Sequence, residues 1–151
     1  MTHKQIPFCK LFKIYYFQPA KKYSVMNPLV RIGTTIVIFA LASYSIAIIT
    51  EQRKKILRRR ILVFLTLGVA LDITATIFMI LGSSKGGFTL HGIIGYSSLL
   101  GMFIDAVLIW RLKITKGSYS PVPDGIHIYS RYAYIWWIIA FITGGVLVAL
   151  R

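Results

Sequence analysis

Four apolar runs, at about 29–50, 61–81, 90–110 and 132–150, leave this chain of 151 residues few ways to fold. Each approaches or exceeds the roughly 20 residues that a helix rising 1.5 Å per residue needs to cross a hydrocarbon layer about 30 Å thick. Inside lipid no water satisfies the backbone, so a spanning segment must be a helix or part of a closed barrel. The runs are too long and too continuously apolar for a porin-like barrel, which needs short alternating segments. A soluble bundle would show polar stripes and more than four acidic residues. Gly, Ser and Thr within the runs suit helix packing in lipid, where close approach replaces the hydrophobic drive. The expected fold is all-α: an integral membrane four-helix bundle, up-down and antiparallel, over residues 29–150. Residues 1–28 form a separate basic, aromatic leader.

The formal net charge is +14. In a soluble chain this would point to nucleic acid. Here the basic residues flank the spans, where they meet lipid headgroups and set orientation. The bilayer is therefore the expected partner, and no nucleic acid is expected. The densest group, Arg53, Lys54, Lys55, Arg58, Arg59 and Arg60, reads as a cytoplasmic topology anchor in the first loop. From Met26 onward, the first and third loops with Arg131 carry ten Lys and Arg, against three (Arg31, Lys85 and Arg151) on the other side. The positive-inside rule then places both termini outside. Five leader lysines, Lys4, Lys10, Lys13, Lys21 and Lys22, raise the outer count to eight and nearly erase this bias. The leader has no secretory signal pattern. Its Phe12–Phe17 stretch reads as a membrane-surface patch, and Met26 offers a second start of translation. Residues 1–25 are accordingly expected to be dispensable for insertion.

Asp72 sits near the middle of the second run. A lone helix in lipid would bear a cost of several kcal/mol for a charge there. The run must therefore pack in a bundle that leaves Asp72 neutral, partnered or solvated. Asp72, Thr76 and Met79 stand at i, i+4 and i+7, on one helical face. His91, Gly95, Ser98, Met102 and Asp105 likewise share a face of the third span. Antiparallel pairing brings Met79 and His91 to one end and sets Asp72 level with Ser98 to Met102. A protonated Asp72 donating a hydrogen bond toward Ser98 is one expectation; proton or ion handling is the functional alternative. On the fourth span His127, Arg131 and Tyr134 repeat at i, i+4 and i+7. Arg131 then approaches the depth of Asp105, and an ion pair between them would relieve two unfavourable burials. Tyr129, Tyr132, Trp136 and Trp137 read as interface anchors.

Other chemistry is poorly supplied. The single cysteine, Cys9, lies in the leader, so there is no disulfide and no Cys-x-x-Cys pair. No zinc cluster, catalytic triad or phosphate loop appears, and no catalytic residue, metal or cofactor is expected. His91 and His127 fall at opposite ends of their spans, which excludes bis-histidine haem between them. Haem held by His91 with Met79 is the remaining cofactor reading. The Gly-rich turn after Ser83 reads as a tight reversal. The third loop, 113–130, with Pro121, Pro123, Asp124 and Gly125, reads as a connector.

The segments Leu71-Asp72-Ile73-Thr74-Ala75-Thr76-Ile77-Phe78-Met79, Leu90-His91-Gly92-Ile93-Ile94-Gly95-Tyr96, and Ile135-Trp136-Trp137 through Thr143-Gly144 carry a resemblance. Over about residues 29–150 the chain resembles the HsmA family of small bacterial four-span membrane proteins. Asp72, Thr76, Met79, His91 and Gly95 match its pattern. Asp105 departs from it, since family members tend to carry histidine before alanine there. The resemblance implies a bacterial cytoplasmic-membrane location and a four-span fold, but no established reaction. The functional expectation is an accessory or structural subunit, or a minor transporter, with buried carboxylates; the alternative is a haem-binding electron-transfer protein. Four short spans leave little interior for a pore, so a homo-oligomer or a membrane-protein partner is expected.

Overall fold

The computed structural model describes residues 27–83 and 88–149. The leader, with its surface patch, Cys9 and alternative start, lies outside the described residues, as do most of the Gly-rich turn and Arg151. Four helices follow in order: α1 (Pro28–Lys54), α2 (Arg59–Gly82), α3 (Leu90–Lys116) and α4 (Asp124–Ala149). Their 24 to 27 residues give lengths of about 36–40 Å. All four are long and apolar enough to cross a membrane. The chain is thus an all-α bundle of multi-pass membrane type.

Local chemistry sets the helix ends. Asn27 accepts a hydrogen bond from the Leu29 amide at 3.0 Å, and Pro28 occupies the first turn of α1, where its missing N–H costs nothing. Thr89 caps α3 by accepting from the Gly92 amide at 3.0 Å. Gly117, at φ 78°, ends α3 in a backbone conformation that suits glycine. The helices outrun the apolar runs: α1 continues past Thr50 to Lys54, and α3 continues to Lys116. α4 already begins at Asp124, so the third loop shrinks to residues 117–123. Charged side chains end a hydropathy run without ending the backbone hydrogen-bond ladder, which continues to a cap or a proline.

The helices form an up-down ring in chain order. α1 packs most extensively on α2 and α3 on α4, while the two hairpins meet more sparsely. Small residues permit the close approaches. A Cβ on Gly68 would lie 2.5 Å from Tyr44 Cδ1, one on Gly33 2.9 Å from Met79 Cγ, and one on Gly144 2.9 Å from His91 Cε1. Large apolar side chains such as Phe39, Val63, Ile77, Leu81 and Leu100 face outward, as lipid contact requires. At the Lys- and Arg-rich end, called the basic end below, the two short loops pair. Ile56 and Pro121 form an antiparallel bridge, and Leu57 exchanges backbone hydrogen bonds with Ser120 (2.9 Å) and Tyr119 (2.8 Å).

Candidate functional site

Three of the four acidic residues, Glu51, Asp72 and Asp105, are buried inside the bundle. Each helix contributes to the polar column they form. α4 turns His127, Ser130, Ala133, Trp137 and Ala140 inward at steps of three and four, the spacing of one helical face. Tyr44, Ala47, Ile48 and Glu51 do the same on α1.

The layer nearest the basic end joins Glu51 to His127. The His127 Nδ1 lies 2.9 Å from Glu51 Oε1, and both side chains are almost fully buried. Gln52 closes the layer: its Nε2 donates to Glu51 Oε2 (2.6 Å) and to the His127 carbonyl (2.8 Å), and its Oε1 accepts from Arg131 Nε (3.0 Å). Both oxygens of Glu51 are therefore engaged. The next layer lies about 4.5 Å further along α4, three residues on. There Ser130 donates its hydroxyl proton to Asp105 Oδ1. Asp105 is 0% exposed, and its other oxygen, Oδ2, has no hydrogen-bond partner. Asp105 remains within electrostatic reach of Glu51, Tyr44 and Tyr129.

The third layer, about 10 Å beyond Ser130 along α4, is centred on Asp72. Trp137 Nε1 donates to Asp72 Oδ2 at 2.6 Å, diagonally across the bundle from α4 to α2. The Tyr44 hydroxyl donates to the same oxygen at 3.4 Å. The two rings meet edge to face with centroids 5.0 Å apart, a favourable aromatic geometry, and Phe141 stacks on Trp137 at 5.7 Å. Near the far end, His91 Nδ1 lies 3.0 Å from Thr143 Oγ1.

Several expectations change. Asp72 does not reach toward Ser98, whose buried hydroxyl donates to its own helix at Gly95 O (2.8 Å). Its partners come from α1 and α4, because long aromatic side chains cross the bundle centre where serine cannot. Arg131 does not pair with Asp105. It sits one residue, about 100° of helix, past Ser130, so it is exposed and turns to Gln52. Met79 and His91 share an end but not an interface: Met79 packs on Gly33 of α1, while His91 faces Thr143 and Gly144 of α4. The haem reading that paired them gains no support from this geometry. Thr76 donates to the Asp72 carbonyl one turn back on α2. Trp137 is a buried donor, unlike its neighbour Trp136, which is exposed and bonds to Ser97.

Glu51 escapes sequence reading because it follows the apolar run by one residue and precedes a block of cations, so it reads as a loop charge. A signal was present: it stands seven residues after Tyr44, on the same face. Among the described residues no group of three or more His, Cys, Asp and Glu is arranged to hold a metal. Compared with known proteins, the chain matches no protein-family profile, no curated protein and no solved structure.

Proposed function

We propose that the protein is a small proton-handling transporter of a bacterial cytoplasmic membrane. In this reading the buried column passes protons between the basic end and the middle of the bilayer. One observation carries it: Asp105 Oδ2, fully buried and without a partner. Buried polar atoms are nearly always satisfied, so an unpartnered carboxyl oxygen calls for a reason. An exchangeable proton on Asp105 supplies one. Acidic and histidine side chains facing a bundle interior are the usual components of proton relays. The layers lie along the inner face of α4, and from His127 to Trp137 they cover about 15 Å, half of a hydrocarbon core. His91 and Thr143 continue the polar path about 9 Å further, a gap that entering water or a helix shift has to bridge.

The test is proton flux. In liposomes with a trapped pH dye and an imposed potassium diffusion potential, the wild type is expected to pass protons well above protein-free liposomes. Asp105→Asn and Asp72→Asn are each expected to lower the flux about a hundredfold or more, with helicity unchanged, the lower end of what a positioned proton carrier contributes. Wild-type flux equal to that of empty liposomes would sink the reading.

Both termini are placed outside in the same proposal, on the ten-to-three imbalance of basic residues counted from Met26 onward. Reporter fusions at Lys85 and Arg151 are then active only outside the cytoplasm; cytoplasmic signals at both refute the orientation. Membership of the HsmA family belongs to the proposal too. Its support is that the resembling segments converge in space, Asp72 with Trp137 and His91 with Thr143 and Gly144. Transport by so small a bundle implies a homo-oligomer or a membrane partner. Full flux from a particle shown to be monomeric in lipid would remove that requirement.

A further inference from the structure

A second feature lies outside the column. A cleft of about 520 Å³ opens at the basic end, lined by Arg58, Arg59, Arg60, Val63, Phe64 and Tyr119. The three arginines are exposed. Among the described residues no Lys or Arg lies within 4 Å of a carboxylate, so none neutralises these guanidinium groups. They crowd around the first turn of α2, which no side chain caps and whose free amides add partial positive charge. The protein leaves this repulsion unrelieved.

The apolar half of the cleft follows the arginines along the axis of α2. Val63 and Phe64 lie about 5–6 Å deeper than Arg59 and Arg60, one turn along α2. Tyr119 completes the rim. Its backbone is in the left-handed region, φ 68°, which non-glycine residues rarely adopt. The hydrogen bonds of Leu57 to Tyr119 and Ser120 hold it there, with the residue 74% exposed beside the arginines. A cationic rim, an amphipathic aromatic ring at headgroup level and an apolar wall beneath follow the polarity of a phospholipid.

We propose that this cleft is a binding site for one anionic phospholipid. Its phosphate lies on Arg58, Arg59 and Arg60, whose forked donors suit phosphate oxygens, and its acyl chains run along Val63 and Phe64. Free phosphate or a soluble phosphate ester would engage the arginines but leave the apolar wall unused. The site is independent of proton handling and rests on the multi-pass membrane fold alone.

Native mass spectrometry of the full chain released from nanodiscs of phosphatidylcholine with phosphatidylglycerol is the test. The wild type is expected to retain one phosphatidylglycerol. Arg58→Gln/Arg59→Gln/Arg60→Gln is expected to weaken retention on the order of a hundredfold, at roughly fivefold for each direct guanidinium–phosphate hydrogen bond lost. Arg53→Gln/Lys54→Gln/Lys113→Gln removes equal charge outside the cleft and is expected to change retention less than about twofold, since the cleft itself is intact. Equal loss in the two triple variants would reduce the effect to bulk attraction and overturn the site. Glycerol phosphate displacing the lipid at equal concentration would reassign the cleft to soluble phosphates and also overturn it. Should the first variant not fold, the wild type still decides: no preference for phosphatidylglycerol over phosphatidylcholine refutes the proposal.

Discussion

Gly68→Val is expected to destabilise the native bundle by about 3 kcal/mol or more. A Cβ at this position would sit 2.5 Å from Tyr44 Cδ1 and 2.6 Å from Cε1, distances that real side chains do not adopt. Tyr44 has nowhere to go. It is 0% exposed, its ring meets Trp137 edge to face, and its hydroxyl reaches Asp72. Moving it separates α1 from α2, the most extensive interface of the fold, and strips a donor from the buried carboxyl. Over-packing of a tight core costs about 1–3 kcal/mol and sometimes more. Valine at Gly68 belongs at the upper end, because the obstacle is a locked ring rather than a mobile chain end. Detergent unfolding followed by circular dichroism measures the loss. The double variant Gly68→Ala with Tyr44→Phe is expected to remain well below wild-type stability, since the ring still fills the space. Wild-type stability for Gly68→Val would show that α1 and α2 do not pack this closely.

Asp72→Leu carries the second large effect. It leaves the Trp137 N–H and the Tyr44 hydroxyl without acceptors in the bundle interior. At about 1–3 kcal/mol for each unsatisfied donor, the loss is about 2–6 kcal/mol. Asp72→Asn keeps a carbonyl oxygen for both donors and is expected to stay within about 1 kcal/mol of wild type, near the net worth of one hydrogen bond. Trp137→Phe removes one donor and keeps most of the aromatic packing, so its loss should fall between the two. The same series separates structure from function. If Asp72→Asn folds normally and loses proton flux, Asp72 carries a proton; if it keeps the flux, Asp72 serves the fold alone. The carboxyl stretch in infrared spectra of wild type and Asp72→Asn across pH reports the protonation state directly.

Much of the architecture was legible because it depends on one-dimensional quantities. A helix of about 20 apolar residues fits a bilayer whatever its neighbours do, and short loops force adjacent helices to run antiparallel. The acids at positions 72 and 105 stood out because charge within such a run demands accommodation. The helix ends were less legible. Glu51 fell one residue beyond the first apolar run, although α1 carries it for another turn beside His127. Trp136 and Trp137 show where sequence reading stopped. Adjacent on one helix, they differ by about 100° in direction. One faces outward and the other binds Asp72. Helices that are apolar on every side carry no polar stripe to say which face turns inward.

By itself, the sequence determined the class of the protein, the number of crossings, the antiparallel order and the approximate depths of Asp72, His91, Asp105 and Arg131, because depth along a helix advances 1.5 Å per residue. Rotation of each helix about its axis was left to the tertiary structure. That rotation depends on where neighbouring helices come closest, and here the contacts of Gly33 with Met79, Gly68 with Tyr44 and Gly144 with His91 set it. It turned Trp137 rather than Ser98 toward Asp72, and Ser130 rather than Arg131 toward Asp105. In lipid, side chains on both faces can be equally apolar, so burial exerts little rotational preference and van der Waals packing of small residues decides.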